Sequence, residues 1–152
     1  MADVTIDLSG FDELLKKTQE LQDNVSSLNK TITDDLAQHY LAEAIANTPV
    51  GETKTSPDGT YRSESEHMRR SWEAERINDT TVKVQNTASY ASYVNDGHRQ
   101  QPGRFIPVIG KRLTKSFVKG LHMQEKAEAA TRKASDKIMK NALDDYLSTW
   151  SK

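Results

Sequence analysis

Asp96-Gly97-His98 sets a carboxylate and an imidazole two residues apart across a glycine, a pair that could serve a metal or act as a base. Glu64, Glu66 and His67 form a second, looser cluster. The other histidines are His39 and His122; no two histidines stand at i, i+4, and there is no H-E-x-x-H. Ser63, Ser65 and Ser71 lie outside any G-x-S-x-G elbow. Neither a G-x-x-x-x-G-K-[ST] nor a G-x-G-x-x-G phosphate cradle occurs. Cysteine is absent, which removes thiolate chemistry, disulfides and cysteine-based metal sites. Asp96 also reads as a turn former and His98 as a loop residue, while the Glu64–His67 cluster sits in polar chain with nothing to desolvate it. The sequence therefore does not support an enzyme. No catalytic, cofactor-binding or metal site is assigned, and no cofactor or small-molecule substrate is expected.

The elements that hold Asp96 and His98 lie in the stretch Tyr90–Pro107, YASYVNDGHRQQPGRFIP. Tyr90 to Val94 is apolar and aromatic enough to pack. It reads as a strand or as one helical turn, and its two tyrosines share a face only in the helical case. Asn95-Asp96-Gly97 is a turn signal, Gln100 to Gly103 a polar hinge, and Phe105-Ile106-Pro107 a return to apolar chain. Packed segment, turn, excursion, packed segment is how a folded core presents a loop. Tyr90, Tyr93 and Phe105 are thus expected to anchor the fold, with Gly97 at the sharp turn and 97–104 as the loop.

A chain of 152 residues is most simply one domain, here 1–152. Its mean hydropathy of −0.77 and 35% hydrophobic content are low for a lone compact globule. An elongated helical protein with a thin core fits, as does a subunit that completes its burial against neighbours. The net charge of −1 gives no bulk attraction to nucleic acid or anionic lipid. No apolar run approaches the roughly 20 residues of a membrane span, and MADVTIDLSG does not read as a signal peptide.

Charge is uneven. Between Met1 and Thr48 nine acids (Asp3, Asp7, Asp12, Glu13, Glu20, Asp23, Asp34, Asp35, Glu43) face three bases (Lys16, Lys17, Lys30). Between Gly97 and Gln124 there is no acid, while Arg99, Arg104, Lys111, Arg112, Lys115 and Lys119 are basic. Such a split suits head-to-tail contact between identical subunits, or it is two solvated faces. The basic run, with Phe105 and Phe117 among it, also has the look of a nucleic-acid patch, although no DNA-reading motif accompanies it.

Along the chain, Val4–Leu8 reads as a short strand. Ser9 with Asp12 makes a capping-box-like start, after which Phe11, Leu14, Leu15, Leu21, Val25, Leu28, Ile32, Leu36, Tyr40, Leu41 and Ile45 recur at helical spacing until Thr48-Pro49. This is one long helix or two in series. Residues 51–66, with Pro57-Asp58-Gly59, read as an exposed loop. Trp72–Ile77 and Thr81–Val84 around Asn78-Asp79 predict a hairpin. Phe105–Ile109 and Arg112–Val118 around Gly110-Lys111 suggest a second. From His122 an alanine-rich stripe predicts a helix to near Trp150. The expected fold is α+β: a long N-terminal and a C-terminal helix packed on a small, mostly antiparallel sheet with long loops.

The order TPVGET (48–53), HMRRSW (67–72), ERINDTTVKVQNT (75–87), YASYVNDGHR (90–99) and GRFIPVIG (103–110) resembles the tail-component, or neck, family of long-tailed bacteriophages. The resemblance runs from about Leu14 to Leu147. The chain departs from the pattern in carrying Asn95 where an acidic residue usually follows YV, and in a longer 51–66 loop. The resemblance implies a structural virion protein of the neck or collar, related in task to connectors, tail-completion proteins and tail terminators. It would form a ring of about six copies at the head-proximal end of the tail. Its partners would be copies of itself, head-closure or connector proteins, and tail tube or sheath proteins, with passive contact to DNA in the channel and no membrane. It would be assembled in the host cytoplasm. On that reading Arg99, Arg104, Lys111, Arg112, Lys115 and Lys119 are the subunit or partner interface. The alternative is a small nucleic-acid-binding module of a mobile genetic element.

Overall fold

A computed structural model describes residues 9–51, 66–107 and 110–150. The expected strand at 4–8 and most of the 51–66 loop lie outside these residues. Helix α1 spans Ser9–Asn47 as one uninterrupted element of 39 residues, about 58 Å long. No glycine or proline interrupts it after Gly10, and Thr18, Thr31 and Thr33 return their hydroxyls to the i−4 carbonyls at 2.8, 3.2 and 2.8 Å. Pro49 ends it by removing the helical option at Thr48, whose N–H closes a tighter turn on the Ile45 carbonyl at 3.1 Å.

After α2 (His67–Arg70), β1 (Trp72–Asn78) and β2 (Thr81–Asn86) form an antiparallel hairpin with Trp72 opposite Asn86 and Ala74 opposite Val84. Asn78 shapes its turn, because Oδ1 accepts from both the N–H and the hydroxyl of Thr80. The hairpin lies against α1 and is clipped there by ion pairing of Arg76 with Asp34 and by a 3.0 Å bond from Ser26 to Asp79. Helix α3 (Ala91–Asp96) leads into β3 (Gly97–Arg99), then β4 (Phe105–Ile106), β5 (Lys111–Arg112) and β6 (Phe117–Lys119). Helix α4 (Met123–Trp150) closes the chain.

α4 runs antiparallel along α1. Ala127 meets Ala44 at one end, His39 Nδ1 bonds Thr131 Oγ1 at 3.2 Å further along, and Leu28 and Ala142 line one groove at the other end. Ala44 and Ala127 are both fully buried; with only a methyl group each, they let the two backbones approach closely. Trp72, Tyr40, Leu41, Ile45 and Val84 surround this crossing. Met68, Ala88, Ala91, Met123 and Val94 form a second small cluster under α3.

The fold is α+β, as the sequence predicts, but among the described residues the strands pair two by two rather than in one sheet: β1 with β2, β3 with β6, and β4 with β5. The expected second hairpin is only partly formed. Residues 117–119 pair back onto 97–99 instead of onto the Phe105–Ile109 strand. The core is thin. Among the described residues only eight apolar side chains are buried, five of them alanine.

Tyr90 and Tyr93 are corrected as internal anchors. The segment is helical, so the two rings do share a side, but it is the outer one: Tyr90 is 42% and Tyr93 58% exposed. Ala91 and Asn95, at i and i+4, take the inner side instead and are buried. Phe105 is likewise at the surface, 48% exposed.

Candidate assembly interface

The two short ribbons β3–β6 and β4–β5 are continuous, and residues 97–107 and 110–119 form one two-stranded arm. Between them the ladder is carried by Gln100 N–H to Ser116 O at 2.8 Å, Gly103 N–H to Leu113 O at 2.8 Å, and Leu113 N–H to Arg104 O at 2.9 Å. Pro102-Gly103 introduces a bulge, with Gly103 at φ 86°. Gly110, at φ 62°, turns the tip. Residues 101–105 and 110–112, the outer half of the arm, are exposed.

The root is set by two glycines in backbone contact. A Cβ on Gly97 would stand 2.4 Å from the Val118 carbonyl oxygen, and one on Gly120 would stand 2.2 Å from the Asn95 carbonyl oxygen. Gly97 also has φ 84° and lies under the Phe117 ring. Directly above the root, Asn95 is 4% exposed. Its Oδ1 accepts from Gln124 N–H at 3.1 Å, and its Nδ2 donates to Asp96 at 2.7 Å and to Glu125 at 3.2 Å. Asn95 therefore caps the first turn of α4 from outside that helix. Its backbone carbonyl accepts from His122 N–H at 3.0 Å, and Val94 O accepts from Leu121 N–H at 2.9 Å. An acidic residue here could accept from the helix but could not donate to two carboxylates. Asparagine does both.

The carboxyl of Glu125 is held below the usual carboxylate range, first by its own backbone N–H and then by Asn95 and His122, with desolvation opposing them. Tyr40 is pushed up, first by burial and then by Glu128 and Glu125.

The six bases of the basic stretch all lie on the arm, and all six are exposed. Among the described residues no carboxylate is within ion-pair distance of any of them. Arg112 is oriented by a 2.7 Å bond to Gly103 O, and its guanidinium sits 5.8 Å from the centre of the Phe105 ring. Among the described residues the arm is thus a strip of cations without ion-pair partners, with two exposed aromatic rings, Phe105 and Phe117.

The residues first considered for chemistry are not brought together. Asp96 is engaged by Asn95, while His98 packs edge-on against Tyr93 at 5.8 Å. His98 Nδ1 faces the Tyr93 carbonyl at 3.4 Å and Nε2 faces the Gln100 amide at 3.1 Å, which fits an Nδ1–H tautomer. Glu66 pairs with Arg70 at 2.7 Å, and His67 bonds the Tyr90 hydroxyl at 3.2 Å. Ser71 donates to His67 O at 2.7 Å. Glu64, Ser63 and Ser65 lie outside the described residues. Among the described residues no group of three His, Cys, Asp or Glu could hold a metal ion, and no helix is long and apolar enough to cross a membrane.

Two motifs distant in sequence do converge. Thr48, 1% exposed, accepts from Trp72 Nε1 on its hydroxyl at 2.8 Å and from Arg69 Nη2 on its carbonyl at 2.9 Å. TPVG and HMRRSW thus form one joint between α1, α2 and β1.

Comparison with known proteins places the chain. Residues 12–97 match the model of the family described as "Bacteriophage HK97-gp10, putative tail-component". The match takes in α1, the Thr48 joint, the hairpin and α3, and stops at the arm root. No curated protein and no solved structure matches the chain significantly. Membership of a phage tail-component family implies a location in the virion and contact with other virion proteins. The match spans more than half of the chain, and the protein belongs to the HK97-gp10-like family of bacteriophage tail components.

Proposed function

We propose that this protein is a structural subunit of the phage neck. It forms a ring, of about six copies to match tail symmetry, that joins or completes the tail at its head-proximal end. The observation that carries the reading is the arm: six exposed cations on one ribbon, with no acid between Gly97 and Gln124 and no intramolecular ion pair among the described residues. Charges so arranged are spent on a partner rather than on the fold. The thin core and the exposed large hydrophobic side chains support the same reading, since a ring subunit completes its burial against its neighbours. The role is structural, with no reaction assigned.

Reversing Arg104 to Glu tests it. The variant is expected to fold, because Arg104 is exposed and makes only backbone bonds. It is expected to lose oligomers in size exclusion with light scattering, and particles carrying it should lack joined tails. Normal particle yield would overturn the proposal. The alternative, a nucleic-acid-binding module, draws on Phe105 and Phe117 exposed among the cations. It predicts affinity for single-stranded DNA that falls steeply with salt, and a titration at low salt without binding disposes of it.

A further inference from the structure

The ring reading leaves open where the arm lands. At the far end of α4 from the arm root, a groove of about 390 Å³ opens between α1 and α4, lined by Leu28 and Ala142 with Asp145 and Tyr146 among its polar walls. Ala142 to Tyr146 lie about six turns along α4 from Met123, so arm root and groove are about 30 Å apart. Asp145 lines the groove and Asp23 and Asp144 are exposed beside it; Lys30 and Lys140 stand at its margin, and from Asn141 to Ser148 there is no base. The same end of the molecule exposes apolar side chains, Val25 at 54%, Leu143 at 43% and Leu147 at 53%. A second groove, between α1 and β2, has similar volume but no charged residue in its lining.

We infer that the groove between α1 and α4 is the acceptor for the arm of a second copy of this chain. Phe105 enters against Leu28 and Ala142, and Arg112, already held beside Phe105, meets Asp145. The complementarity is both apolar and electrostatic, and it distinguishes this groove from the uncharged one. Donor and acceptor are different surfaces at opposite ends of one subunit, so the contact is head-to-tail and propagates around a ring. The inference rests on the ring reading and adds its contact surface.

The chain has no cysteine, so cross-linking can be placed without background. Phe105→Cys and Ser27→Cys, on the tip and the groove wall, are mixed and treated with a short bismaleimide. A covalent dimer is expected only from the mixture, and the double variant should give a ladder up to the ring. Arg112→Glu and Asp145→Arg should each weaken self-association roughly tenfold, and the two together should restore it. Oligomers that form normally but cross-link 105 to Thr81→Cys in the other groove, and not to residue 27, would overturn the docking and leave the ring reading standing. A protein that stays monomeric at every concentration and in particles would overturn both.

Discussion

The indole N–H of Trp72 donates to the hydroxyl of Thr48 at 2.8 Å, and that hydroxyl donates in turn to Ala44 O at 2.6 Å. All three residues are buried, and the bond joins the end of α1 to the start of β1. Thr48→Val keeps the shape and leaves the indole donor unpaired. It is expected to cost about 1–3 kcal/mol, read as a lower urea midpoint with unchanged slope. Adding Trp72→Phe removes the orphaned donor, so the double variant should lose less than the sum of the singles.

The arm root sets a steric prediction. Gly120→Ala puts a methyl group 2.2 Å from the Asn95 carbonyl oxygen and 2.5 Å from the Asp96 carbonyl carbon. Backbone cannot yield as a side chain would, so the loss should exceed about 3 kcal/mol. Gly103→Ala is the control: it has open space but φ 86°, and about 1–2 kcal/mol is expected from conformation alone. Thermal unfolding of the two variants separates the causes.

Asn95→Ala should destabilise the start of α4. It strips the Gln124 N–H of its partner in a part-buried position, at about 1 kcal/mol. Asn95→Asp keeps the acceptor but brings a third carboxylate beside Asp96 and Glu125. It should therefore be more destabilising at neutral pH than in acid, where the carboxylates are protonated. Amide exchange at 124–126 should accelerate in both.

The lowered pKa of Glu125 predicts the direction of acid sensitivity. A carboxyl whose folded pKa lies below its unfolded value contributes stability above the unfolded value of 4.5, and this is lost as pH falls through the folded one. Tyr40 acts at the other extreme. Its raised pKa favours the neutral phenol in the fold, a contribution present below pH 10 and lost as pH rises beyond it. Glu125→Gln should flatten the acid limb of a stability–pH profile, and Tyr40→Phe the alkaline limb.

The long elements were legible because their periodicity is long. The α1 stripe runs from Phe11 to Ile45 without an interior breaker, and Asn78-Asp79 marks the hairpin turn. The buried core was less legible because much of it is alanine. Ala44, Ala88, Ala91, Ala127 and Ala142 are buried, yet alanine reads as neutral filler, and the larger tyrosines beside Ala91 carry the stronger apolar signal. Asn95 reads locally as a turn former; its role as a cap depends on Gln124 and Glu125, 29 and 30 residues away. The pairing of 117–119 with 97–99 is equally nonlocal, and a nearer hairpin around Gly110 competes with it in sequence. The basic stretch was visible as composition. Its gathering onto one ribbon required the fold.

The glycine contact at the arm root has a mechanical consequence. Both strands of the arm return to the same body, so a pull applied at Phe105 stretches them side by side and unzips neither. The tension arrives together at Gly97 and Gly120, where backbone already rests on backbone, and passes through Asn95 into the axis of α4. A tail component carrying its contacts on such a lever would transmit axial load from one subunit to the helices of the next without first yielding at a hinge.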